Sequence, residues 1–168
     1  MNAKQTDALN EKQEAFQKAM LTSMKFWWFL LWNLPSVLFW GIKITQLDEK
    51  SCEVTLPYSY RTKNPFRSIY FAAITGAAEL ASGALCLLHL QGSQRFSTLV
   101  TGVEGTFLKK ATHKITFSCK EGDKIKAAKA SLAKTGDFTS LSLKVEGKNP
   151  EGELVARFSI LWSFKLKE

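Results

Sequence analysis

One acidic side chain, Glu79, stands alone in the stretch Ser68–Gln91, which holds no other formally charged residue. A carboxylate among apolar neighbours is costly to bury unless it is paired or hydrated. Desolvation raises its pKa toward the range that suits a general base or nucleophile. Wound as a helix, the stretch puts Thr75, Glu79, Ser82 and Cys86 at i, i+4, i+7 and i+11, on one face, with Gly76 and Gly83 beside them. Such a polar, small stripe suits one wall of a cleft. The competing reading is a carboxylate tied to a lysine or to backbone donors, with no chemistry.

The start of the same helix offers a second chemical group. The first N–H groups, near Ser68 to Ala72, have no intrahelical acceptor. With the helix dipole they suit an oxygen that carries negative charge, such as a thioester carbonyl under attack. Tyr70 and Glu79 are nine residues apart, roughly 13 Å along the axis, so Glu79 cannot serve the start of its own helix. Two such helices packed antiparallel set Glu79 of one chain opposite Tyr70 and Phe71 of the other. The spacing permits a two-fold dimer with two composite sites.

Other nucleophiles are weaker candidates. Cys86 has no histidine partner in any local signature. Ser82 lacks a Ser-His-Asp context. Cys52, Cys86 and Cys119 show no CxxC spacing and read as reduced core thiols of a cytoplasmic protein. With only His89 and His113 beside them, no metal site is expected. His89 reads as a helix-end residue and His113 as a turn residue.

The elements that must hold these groups follow from hydrophobic period. The 168 residues suit one domain, with 1–36 as an N-terminal helical extension. About Asp7 to Trp32 reads as a helix with Phe16, Met20, Trp27 and Leu31 near one face, and Asn33–Ser36 as a turn. Gly41–Asp48 and Ser51–Pro57 read as a hairpin around Asp48-Glu49-Lys50. Ser68–Gln91, rich in alanine and glycine, is a buried helix. Phe96 to about Lys109 is a long strand in which Gly102 and Gly105 mark bulges or bends. Lys114–Cys119 alternates. Asp123–Thr135 reads as a short helix capped by Asp123, buried through Ile125, Ala128 and Leu132, and closed by Gly136. Phe138–Glu146, the loop Gly147–Gly152 and the cleanly alternating Leu154–Leu166 complete the chain. This order predicts an α+β fold: one antiparallel sheet of about six strands around a long central helix, with an extra N-terminal helix.

The net charge of +8 favours anionic partners: nucleic acid, acidic lipid headgroups or a phosphate-bearing cofactor. A merely soluble basic surface is the plain alternative. Eight lysines lie between Lys109 and Lys134 against Glu121 and Asp123, but no arginine-rich or aromatic-basic motif points to nucleic acid. The fifteen residues Phe26–Trp40, FWWFLLWNLPSVLFW, are too short for a membrane span of roughly 20 residues and are interrupted by Asn33 and Pro35. They read as a buried helix end and turn. A weak membrane-surface contact is the other reading, because Trp27, Trp28, Trp32 and Trp40 crowd here.

The segment NPFRSIYFAAITGAAELASG, Asn64 to Gly83, resembles the signature of hot-dog thioesterases of the phenylacetyl-CoA thioesterase type. That signature runs Asn, then His-Gly-Gly, then an Ala-rich helix with an acid nine residues after the histidine. Asn64 falls near the asparagine, Tyr70 at the histidine, Phe71 and Ala72 at the glycine pair, and Glu79 at the acid. The match looks most like a domain-of-unknown-function branch related to those enzymes. It covers roughly Trp32 to Lys167, including the ending EGELVARFSILWSFK from Glu151 to Lys165. The resemblance implies a hot-dog fold, a homodimer or a tetramer of two dimers, and a site between subunits for a fatty or aromatic acyl-CoA as substrate, with no cofactor. It implies Glu79 as base or nucleophile and the N–H groups near Phe71 and Ala72 as oxyanion donors. Thr75, Ser82 and Gly83 are expected beside the substrate. Charge alone suggests Lys109 and Lys110 for the CoA phosphates. Loss of His-Gly-Gly leaves a non-catalytic acyl-CoA or lipid-binding protein as the alternative.

Overall fold

The computed structural model describes residues 9–168. The N-terminal region comprises α1 (Glu11–Leu21), α2 (Ser23–Asn33) and α3 (Pro35–Trp40). After it come β1 (Lys43–Leu47), β2 (Cys52–Leu56), α4 (Phe71–Leu90), β3 (Arg95–Phe107), β4 (Ile115–Cys119), α5 (Gly122–Ala130), β5 (Phe138–Lys148) and β6 (Leu154–Lys167). The six strands form one sheet in the order β1-β2-β4-β5-β6-β3, antiparallel throughout. The chain leaves β2, crosses as α4, and enters the sheet again at its far edge. This is the α+β, hot-dog arrangement that the sequence predicts.

The sheet wraps α4 with its apolar alternates. Cys52, Val54 and Leu56 of β2, Ile115 and Phe117 of β4, Leu143 and Val145 of β5, and Phe158, Ile160 and Phe164 of β6 are all buried. Two glycines make room for rings across the ladder. Phe117 pairs with Gly147 and Phe158 with Gly105. A Cβ at either glycine would lie 2.5 or 2.6 Å from the facing ring. Gly105 therefore sits in regular register. The bulge in β3 falls earlier, between Val100 and Gly102.

Helix α4 has the length and hydropathy of a membrane span, yet the sheet surrounds it. It starts at Phe71, three residues later than the apolar run suggests, because the residues before it are held in a loop. Its C-terminal carbonyls, which no helix can satisfy internally, receive side chains from elsewhere. Gln13 Nε2 donates to the Leu88 carbonyl at 3.2 Å and Lys129 Nζ to that of His89 at 2.6 Å; just beyond the helix, Lys12 Nζ donates to the Gly92 carbonyl at 3.0 Å. The two ammonium groups also suit the negative end of the helix dipole. His89 Nε2 bonds the Glu49 carbonyl at 2.8 Å, which fastens the helix end to the β1–β2 turn.

Two features of the N-terminal region differ from expectation, and a third is not described. The helix start expected near Asp7 lies outside the described residues; α1 is capped reciprocally by Asn10 and Gln13. The helix then breaks at Thr22, whose backbone is extended and whose hydroxyl bonds the Lys18 carbonyl. The break resets the helical phase, so Phe26 and Leu30 are buried while Trp27 and Leu31 are exposed. Pro35 opens α3 instead of lying in a turn, because a proline at the first helical position loses no hydrogen bond. Helix α5 also differs. It begins at Gly122 after Glu121 and ends at Ala130, so Asp123 is not its cap and Gly136 lies beyond it. Leu132 is nonetheless buried. The last loop begins only after Lys148, since β5 runs that far.

Gly122 approaches the β1–β2 turn so closely that a Cβ would stand 1.8 Å from the Glu49 carbonyl oxygen. Relief requires backbone movement. Gly122→Ala is expected to cost about 2–3 kcal/mol, read as a lowered midpoint in urea denaturation. An unchanged midpoint would mean that this junction is loose.

Candidate active site

The start of α4 is built by the loop before it. Asn64 Oδ1 accepts from the Phe66 N–H at 3.0 Å, the Ser68 N–H at 3.1 Å and the Ser68 hydroxyl at 3.2 Å. Asn64 Nδ2 donates to the Ile69 carbonyl at 3.3 Å. The amide is thus spent on holding the loop, within which Arg67 takes a left-handed backbone at φ 59°. Tyr70 follows with its N–H donating to the Thr62 carbonyl at 2.7 Å. Its own carbonyl accepts from Ala73 at 3.0 Å and Ile74 at 3.2 Å. Among the described residues the N–H groups of Phe71 and Ala72 have no acceptor, so they remain available to an oxygen from outside.

Phe71 borders a cleft of about 660 Å³, while Ala72, half-buried, is not among its walls. Asn64, Tyr70, Phe71, Lys109 and Lys110 all line it. Tyr70 and Phe71 are exposed and meet edge to face at 5.0 Å. Lys109 pairs with Glu153 at 2.6 Å, and Lys110 Nζ reaches the Phe66 carbonyl at 3.4 Å.

Glu79 opens into a different cleft, of about 380 Å³. Its walls are Phe26, Phe29 and Asn33 of α2, Gly83 of α4, Leu99 of β3 and Trp162 of β6. A Cβ at Gly83 would lie 3.1 Å from Glu79 Oε1 and 3.2 Å from the Trp162 ring. A side chain at 83 would therefore crowd both the carboxylate and the indole. Among the described residues no donor or cation reaches the carboxylate. Burial alone pushes its pKa up, so the reading in which a lysine neutralises it does not describe this protomer.

The remaining stripe residues turn elsewhere. Ser82, expected beside the substrate, is fully enclosed. Its hydroxyl donates to the Glu79 carbonyl at 3.0 Å and accepts from Trp162 Nε1 at 3.1 Å, so it positions the indole and lines no cleft. Thr75 donates to the Phe71 carbonyl at 3.0 Å and lies at neither cleft. Gly76 is covered by Trp40, whose ring would stand 2.9 Å from a Cβ there. Cys86 is buried and its thiol pKa is driven up by desolvation. Cys119 is pushed up to about 11, again by burial above all.

One protomer therefore holds the two halves apart: helix-start amides at one cleft and the carboxylate at another. Trp162, Phe26 and Phe29 were not among the candidate residues. Trp162 shows in sequence only as an inward position of β6, eighty residues from the serine it bonds.

Residues 23–164 match a family described as Domain of unknown function (DUF4442). No curated protein matches the chain. Among solved structures, a Pseudomonas aeruginosa protein of unknown function, described as a probable thioesterase, is 20% identical. It superposes with a TM-score of 0.72 over 91% of this chain and 95% of its own. A Haemophilus influenzae thioesterase is 17% identical, with a TM-score of 0.65 over 86% of this chain and 91% of its own. A mutant Pseudomonas aeruginosa thioesterase is 18% identical, with a TM-score of 0.63 over 97% of each chain. At these identities the likeness establishes the fold.

Glu79 makes stability depend on pH. A carboxyl whose folded pKa lies above its ordinary 4.5 binds its proton more tightly when folded. Its contribution is full below that ordinary value and is lost as pH rises through the raised one. Glu79→Gln is therefore expected to melt higher than the wild type at neutral pH. The gap should close below pH 4.5. A wild type that melts higher at neutral pH would show that a partner stabilises the charged form.

Proposed function

This chain belongs to the DUF4442 family, and on that premise we propose that it hydrolyses acyl thioesters, acyl-CoA among them, at a site completed by two protomers. The reading rests above all on Glu79, a carboxylate held without a counter-charge at the wall of an apolar cleft. Desolvation makes it a stronger base than an exposed glutamate. It takes a proton from water as that water attacks the thioester carbonyl carbon. The oxyanion then formed is held by the Phe71 and Ala72 N–H groups of the other protomer. The tetrahedral intermediate collapses, the C–S bond breaks, and the thiolate recovers the proton from Glu79. A thiol ionises near pH 8–9, so it leaves without a strong acid. Tyr70 is therefore not required to replace a histidine as proton donor.

The dimer is supported by β3. Among the described residues this thirteen-residue strand ends the sheet and pairs only with β6, and it exposes Leu99, Val103 and Phe107. A long edge of this kind is a template for another strand. Pairing of β3 with its copy would extend the sheet and bring two α4 helices side by side. Lys109 and Lys110, at the rim of the larger cleft, are the groups we assign to CoA phosphates; Lys109 would exchange Glu153 for phosphate. The enclosed, unpaired thiols of Cys52, Cys86 and Cys119 support a cytoplasmic setting.

A second reading, a non-catalytic binder of acyl-CoA or lipid, is favoured by the bulk of Phe71 where the related signature carries glycine. The two separate in one experiment. Purified protein is assayed for free thiol release from short, long and aromatic acyl-CoAs. The hydrolase reading expects turnover that Glu79→Gln lowers by about 100-fold or more, with binding of the acyl-CoA retained. Turnover indifferent to that substitution would remove Glu79 from the chemistry. Saturable binding with no thiol release from any substrate would favour the binder.

A further inference from the structure

The outward face of α2 carries Met24, Trp27, Trp28, Leu31 and Trp32, all exposed. Their spacing, i, i+3, i+4, i+7 and i+8, is that of a stripe that normally faces a core. Here the core already has the opposite side, through Phe26 and Leu30. Trp32 is 79% exposed and Trp28 54%, which is far more open than the average for so large an apolar side chain. Trp27 and Trp28 meet edge to face at 5.2 Å, and Phe39 of the following helix α3 is exposed as well.

The stretch of chain that contains this helix carries charge of one sign. Residues 15–47 contain no aspartate or glutamate, while Lys18, Lys25 and Lys43 are all exposed. A tryptophan-rich helix face in a segment whose formally charged residues are all lysines, on a chain of net charge +8, complements a bilayer surface bearing anionic phospholipid. We propose that α2 is an interfacial docking helix, lying in the plane of an anionic membrane with Trp27, Trp28 and Trp32 in the headgroup region. The helix does not span: it has eleven residues and is followed by the Leu34–Pro35 break.

The inner side of the same helix gives the docking a consequence. Phe26, Phe29 and Asn33 wall the cleft that holds Glu79. A second apolar cleft of about 400 Å³ lies between Trp27, Leu30 and Leu38 and opens beside β1. A docked molecule therefore holds these clefts close to the acyl chains of the bilayer. The docking itself does not depend on the hydrolase reading.

Vesicle flotation tests it on the full chain, with phosphatidylcholine vesicles that contain or lack phosphatidylglycerol. The wild type is expected to float with the anionic vesicles and about 10-fold less with the neutral ones. Its tryptophan emission should shift to the blue on binding. The triple variant Trp27→Ala/Trp28→Ala/Trp32→Ala should stay at the bottom of the gradient. Lys18→Glu/Lys25→Glu, which leaves the apolar face intact, should lose the preference for anionic vesicles while melting like the wild type. Glu79→Gln should float as the wild type does, whatever its activity. A wild type that floats with neither vesicle overturns the proposal, and so does a triple variant that floats equally well. Sedimentation that shows the triple substitution splitting a larger species, without wild-type flotation, would assign the face to a second copy and also overturn it.

Discussion

A carboxylate with no counter-charge among the described residues is the constraint on which the rest turns. Glu79 shares its cleft with Gly83 and the Trp162 indole, and burial alone raises its pKa. Every feature around it serves that placement. Glycine at 83 removes the side chain that would crowd acid and ring. Ser82 holds the indole N–H that would otherwise be buried without a partner. Helix α2 closes the cleft from outside with Phe26 and Phe29. Burying an acid in this way works against folding, and a fold retains such a cost most readily where chemistry uses it.

The second constraint is length. Amides at the start of α4 and a carboxylate eight residues further on, about 12 Å along the axis, cannot serve one reacting carbon from a single chain. In one protomer they border separate clefts. The unpaired edge of β3 and its exposed apolar residues supply a route by which two chains would bring them together. On the proposed function, a fold that looks complete on its own leaves its chemistry divided between two chains.

Much of this was legible in sequence. The strands β2, β4 and β6 alternate so strictly that their buried faces follow directly, and the small-residue helix could only be a core helix. Glu79 was conspicuous because nothing else in that helix is charged. What failed to show was long-range or phase-dependent. Thr22 breaks the N-terminal helix without proline or glycine, and the break turns Trp27 and Leu31 outward where an unbroken helix would put them inward. Pro35, read as part of a turn, opens α3 instead. Ser82 shares the stripe of Glu79 by spacing, yet Trp162 draws its hydroxyl into the core. Asn64 matches a family position, but its amide is consumed by the loop it closes.

The proposed composite site is open to a direct measurement by subunit mixing. Glu79→Gln removes the proposed base. Phe71→Pro removes one oxyanion N–H at the first helical position, where proline fits, and Tyr70 at ψ 133° already has the backbone that a following proline requires. Each variant alone should be nearly inactive toward acyl-CoA. Unfolded together and refolded as a mixture, they should recover about a quarter of wild-type turnover, since half of the dimers are mixed and each mixed dimer holds one intact site. A mixture no more active than its components, although mixed dimers are present, would contradict a site shared between chains.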